Sequence, residues 1–129
     1  MKVEKSSQLI VHAPDQPGEL AKVMKQLSDA GVNGRAFAGW AADGVGRIIL
    51  VMEDNAKALS LLRDAGYEVR EEPVALVTDQ DAAGSGAGIA QKIAEAGINL
   101  QTAFASSAGG EYLTVLQAED VDALVEALK

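Results

Sequence analysis

An α+β fold built from two tandem copies of one small unit, each an antiparallel sheet with two helices on one face, is predicted by three observations. The chain repeats itself at an offset of 66 positions, so that DQPGELAKVMKQLSDAGVN (15–33) falls on DAAGSGAGIAQKIAEAGIN (81–99) without a gap. Within each copy the hydrophobic period switches between two and 3.6 in the order βαββα. Finally, glycine-bearing turns separate the periodic segments at matching positions in both copies.

Each copy begins with a short β-rich run, Leu9–Val11 in the first and Val74–Val77 in the second. A helix follows, because Leu20, Val23, Met24, Leu27 and Ala30 recur on one face, as do Ile89, Ala90, Ile93 and Ala96. Gly31 and Gly97 stand where a helix C-terminus wants a left-handed residue. Residues 32–41 and 98–106 read as strands, turned through Asp43–Gly44 and Gly109–Gly110 into strands 47–52 and 112–117. A second helix places Ala58, Leu59, Leu62 and Ala65 on one face, matched by Val121, Leu124, Val125 and Leu128. Residues 67–71 then form a short last strand that Pro73 is expected to end.

The order βαββαβ is that of the split βαβ, ferredoxin-like unit. The predicted domains are therefore 1–72 and 73–129, and the second, read as βαββα, lacks its fourth strand. Either its sheet is left with three strands and an exposed edge, or residues from the N-terminus or another chain complete it. The run Ile48–Val51 is apolar on both sides of the pleat, which calls for cover on both faces.

The chain has 129 residues, 48% of them hydrophobic and only 4% aromatic, which makes for an aliphatic core. A net charge of -8 opposes binding to nucleic acid or to anionic membranes. No apolar run reaches membrane-span length, and the N-terminal run is too short for a signal peptide, so a cytoplasmic location is expected. With no cysteine, disulfides and thiolate chemistry are excluded. No metal or cofactor is implied.

The stretch DQPGELAKVMKQLSDAGVN resembles the ACT domain signature, in which an Asp-x-Pro-Gly-x-Leu turn opens the first helix and Gly-Val-Asn follows it. The second copy keeps Asp81, Gly84, Gly97, Ile98 and Asn99, but has Ala83 for the proline and Gly86 for the leucine. The resemblance covers nearly the whole chain as a free-standing tandem pair. It implies a non-catalytic regulatory module that binds a small effector, an amino acid, between paired ACT units, forms a homodimer, and acts on a metabolic enzyme.

The implied ligand residues are Asp15, Gln16, Pro17, Gly18, Glu19, Leu20 and Asn33, with Asp81, Ala83, Gly84 and Asn99 from the second copy. The turn suits a zwitterion, because a helix N-terminus attracts carboxylate while Asp15 accepts from an ammonium. The helix is expected to be capped by Asp15 or Gln16, with Pro17 in its first turn. Capping and turn geometry account equally for Asp, Pro and Gly here without any ligand. The drifted second turn, lacking proline, is expected to be the more mobile, and an interaction scaffold that has lost its ligand is the alternative function.

Other features have plainer readings. GSGAG (84–88) has neither dinucleotide nor Walker spacing. His12 lacks an evident catalytic partner and reads as a rim residue near the turn. Glu53–Asp54 and Glu119–Asp120 precede helices and read as caps. Trp40, with Ser106 as its counterpart, is suited to an interface, a pocket or core packing.

Overall fold

The computed structural model describes residues 1–129. Its elements are β1 (Lys2–Pro14), α1 (Glu19–Asp29), β2 (Gly34–Ala42), β3 (Val45–Met52), α2 (Asn55–Asp64), β4 (Glu68–Gln80), α3 (Ser85–Glu95), β5 (Leu100–Ala108), β6 (Glu111–Ala118) and α4 (Val121–Leu128). All the predicted helices and hairpins are present. Two strands are longer than their apolar runs: β1 and β4 each span 13 residues.

Pro73 does not end a strand, contrary to expectation; β4 runs straight through it. Proline's fixed φ is compatible with extended backbone, so a strand tolerates it wherever the missing N–H is not needed for the ladder.

The chain divides into two compact units, one of residues 7–72 and the other of residues 1–6 with 73–129. This differs from the expected boundaries at residues 1–6, which group with the C-terminal unit. In the first unit the strand order is β2-β3-β1-β4, and in the second it is β5-β6-β4-β1, with β1 and β4 contributing a segment to each. Val3 packs on the second unit's core, Lys5 Nζ lies 2.8 Å from Asp122 Oδ1, and the N-terminal amine lies 3.8 Å from Asp79 Oδ1. A strand segment from the start of the chain thus stands where the repeat register predicted a missing one.

The first core gathers Leu9 and Val11 of β1, Ile48, Leu50 and Met52 of β3, Val23 and Leu27 of α1, and Ala58 and Leu62 of α2. The second gathers their counterparts, among them Ala75, Val77, Leu116, Ile89, Ile93, Leu124 and Leu128. Alternate residues face opposite sides of a sheet, so Leu9, Val11, Leu50 and Met52 share the helix-covered face. Ile10, Ile49 and Val51 point the other way and are buried as well, as the two-sided apolar run of β3 required.

Matching devices end and start the helices. Gly31 and Gly97 have φ of +72° and +70°, and the next amides, Val32 and Ile98, donate back to Leu27 O and Ile93 O. Asp54 Oδ1 accepts from Lys57 N and Asp120 Oδ1 from Ala123 N, each at 3.0 Å. The caps expected before α2 and α4 are therefore in place. Asp120→Ala is expected to cost about 1 kcal/mol, read from the urea-unfolding midpoint, because α4 has only 8 residues over which to recover the lost bond.

Candidate functional site

At the end of β1 the chain turns on its backbone. Asp15 N donates to Gly44 O at 3.2 Å, tying the turn to the tip of the β2–β3 hairpin, and Gln16 N donates to Pro14 O at 2.9 Å. Gly18 then takes φ +88° as the N-cap of α1, and Lys22 N donates to its carbonyl at 3.0 Å. No side chain caps the helix. The expected cap by Asp15 or Gln16 is thus corrected, and Pro17 lies before the helix instead of in its first turn. The reason is steric, since the left-handed backbone at Gly18 is one that only glycine adopts freely.

The consequence is an open helix start on the surface. Asp15, Gln16, Pro17, Gly18 and Leu20 are exposed, and Glu19, half-buried, has its carboxylate 3.4 Å from Lys22 Nζ. Glu19 N donates to Gln16 O at 3.4 Å, and the amides after it, with no side-chain cap, join the positive end of the helix dipole in an environment favourable to an anion.

The second turn repeats this geometry with one difference. Asp81 N donates to Gly110 O at 2.9 Å, Gly84 takes φ +93° as N-cap, and Gly88 N donates to Gly84 O at 2.8 Å. Where the first turn has the Gln16-to-Pro14 bond, the second uses Ser85: its hydroxyl accepts from Ala82 N at 3.2 Å and donates to Gln80 O at 2.8 Å. Ser85, a residue the sequence reading passed over, braces a turn that was expected to be looser for want of proline. Its signal in the sequence is a serine at the first helical position, aligned with Glu19.

No family model matches the chain, and no curated protein matches it either. Among solved structures it is similar to a protein of Bacteroides thetaiotaomicron, with TM-score 0.90 and 18% identity over 98% of this chain and 88% of the other. It is also similar to the regulatory subunit of aspartate kinase from Thermus thermophilus in its ligand-free form, with TM-score 0.73 and 20% identity over 98% and 93% of the two chains. The corresponding subunit from Thermus flavus gives TM-score 0.67 and 23% identity over 99% and 95%. The chain shares their fold.

Within that fold the expected site residues do not all meet. Asp15 to Leu20 form one turn and Asp81, Ala83 and Gly84 form its counterpart, with Ala83 and Gly84 both exposed. Asn33 and Asn99 follow the far ends of α1 and α3, each an 11-residue helix. At 1.5 Å per residue that is about 16 Å from the turn that opens the same helix. Asn33 is also engaged locally: its Nδ2 donates to Glu53 Oε1 at 3.2 Å, and its carbonyl accepts from Glu53 N at 2.9 Å.

His12, Arg47 and Trp40 lie in register across β1, β3 and β2, so they share the face opposite the helices. His12 Nδ1 is buried without a hydrogen-bond partner, and Trp40 is 46% exposed. The register places the imidazole next to Arg47 on the neighbouring strand.

Proposed function

We propose that this chain is a non-catalytic regulatory module of amino acid metabolism that binds an amino acid at the Asp15–Leu20 turn and passes the binding on to a metabolic enzyme. The observation that carries the reading is the uncapped helix start at Gly18, exposed to solvent and adjoined by the carboxylate-bearing Asp15. Such a turn offers N–H donors to a carboxylate and an acceptor to an ammonium a few ångströms away. Support comes from the fold, which is shared with aspartate kinase regulatory subunits, and the same resemblance to ACT domains appears in the signature DQPGEL. Asp81, Ala83 and Gly84 form a second, related turn; Asn33 and Asn99, at the far ends of their helices, lie outside the proposed contact.

We infer that a second copy of the chain pairs along β2. Phe37 and Trp40 on β2, the edge strand of its unit, are 58% and 46% exposed. They lie on opposite faces of β2, Phe37 in register with Leu50 and Trp40 with Arg47, so a second copy pairing along this edge would border both and make effector affinity and pairing interdependent.

The test is thermal unfolding with each common amino acid at millimolar concentration. A ligand at about 100 times its Kd adds roughly 2.7 kcal/mol, a shift of several degrees in a chain of this size. The expected result is a selective shift that Asp15→Ala abolishes while leaving the unliganded Tm unchanged, since Asp15 is exposed and removal of its carboxylate leaves its backbone bond to Gly44 in place. A shift retained in full by Asp15→Ala moves the site elsewhere. No shift with any amino acid favours the scaffold reading.

A further inference from the structure

The two units differ in side-chain size along their edge strands, β2 in the first and β5 in the second. Each strand has nine residues, and each shifts register once near its start, between Gly34 and Ala36 in one and between Leu100 and Thr102 in the other. Regular stretches remain at 36–42 and 102–108. Edge strands are ordinarily guarded against pairing by charged side chains, proline or a bulge. Neither stretch contains a charged residue or a proline. The chain's net charge of -8 opposes contact between copies, and these uncharged stretches add nothing to that opposition.

The side chains that flank the two edges are matched in opposite senses. On the helix-covered side, Leu20, Met24 and Phe37 of the first unit stand at the positions of Gly86, Ala90 and Ala103 in the second. The registers agree, since Phe37 faces Leu50 as Ala103 faces Leu116. Leu20 and Phe37 are 46% and 58% exposed, so the first unit carries apolar bulk on its surface here. Gly86, Ala90 and Ala103 instead border an open depression with the buried Ile89 and Leu116 beneath it. On the other side of the strands the exchange runs both ways, with Trp40 corresponding to Ser106 and Ala38 to Phe104.

Two like folds set edge to edge about a two-fold axis bring equivalent surfaces together. A β2 edge against another β2 edge would place Leu20 and Phe37 against their own copies, bulk on bulk. A β5 edge against a β5 edge would place hollow on hollow. Only the mixed pairing sets bulk into hollow, and the centre of a stable interface packs as densely as a protein interior.

We propose that a second copy of this chain brings its β5 edge to the β2 edge of the first, with Leu20 and Phe37 seated over Gly86, Ala90 and Ala103 of that copy. The proposal rests on the reading that a second copy pairs along β2, and it names the surface that does the pairing. Every chain carries one edge of each kind, so the contact needs no other partner.

Sedimentation velocity of the full chain over a concentration series is the test, with self-association expected in the parent. Phe37→Ala removes the bulk and Ala103→Phe fills the hollow, and each is expected to weaken association at least about tenfold. Both positions are exposed, so the circular dichroism spectrum and the Tm of the separated chains should match the parent. Leu20→Ala and Ala90→Met take their places if either variant fails to fold. The variant with both changes exchanges bulk and hollow, and its affinity is expected to return to within about threefold of the parent.

A parent chain that stays monomeric throughout the series overturns this pairing together with the β2 reading. Loss of association in Phe37→Ala with none in Ala103→Phe leaves the β2 reading standing and overturns β5 as its counterpart. Loss in both single variants that the double variant fails to recover overturns the seating of bulk in hollow. Undiminished association in Phe37→Ala moves the contact away from β2 altogether.

Discussion

Leu62→Ala is expected to lower stability by about 3–5 kcal/mol, the upper part of the range for a large-to-small change in a closed core. Leu62 has no exposed surface and packs from α2 into the first core, so its removal leaves a void that strands on one side and helices on the other cannot both collapse to fill. A loss of this size is a large part of the total stability of a small domain. It is read from the urea midpoint by circular dichroism. Leu20→Ala is the comparison: Leu20 is 46% exposed, and its replacement should cost less than about 1 kcal/mol. Equal losses for the two would mean that the core described here is not the one that holds the unit together.

Deletion of residues 2–6 is the second large effect. These residues form part of the unit that otherwise spans 73–129; Val3 packs on its core and Lys5 pairs with Asp122. The ion pair is exposed and contributes little. The weight falls on the strand itself, which shields an edge and buries Val3 for roughly 1–2 kcal/mol, with several ladder hydrogen bonds at about 1 kcal/mol each. Amide hydrogen exchange should therefore accelerate by two or more orders of magnitude in β4, β6 and α4, while β2, β3 and α2 keep their protection. Uniform acceleration across both units, or none, would contradict the division at residues 6/7.

Much of this was legible in the sequence. The 66-residue offset made each element checkable against a second copy, and Gly31 with Gly97, Asp43–Gly44 with Gly109–Gly110, and Asp54 with Asp120 all stand where local rules place them. These are short-range devices, each written in two to four adjacent residues. The N-cap at Gly18 was misread for a related reason, because Asp15, Gln16 and Pro17 all satisfy helix-start rules and only the backbone angle at Gly18 decides among them. Pro73 was misread because a proline's effect on a strand depends on whether its N–H is wanted, which is a property of the neighbouring strand.

The candidate site divides in the same way. The turn Asp15–Leu20 is contiguous in sequence and was found there, whereas the distance from it to Asn33 is set by the length and direction of α1, so the pairing of the two in one motif did not bring them together. Ser85 had no partner visible in sequence, since the groups it bridges, Ala82 N and Gln80 O, are backbone atoms.

By itself, then, the sequence determined the repeat, the order of elements, the two hydrophobic faces of Ile48–Val51 and the chemistry of the turns, because periodicity and turn residues act over a few positions along the chain. Only the tertiary structure decided that residues 1–6 join the second unit and that β4 passes through Pro73. Each of these depends on which strand lies beside which.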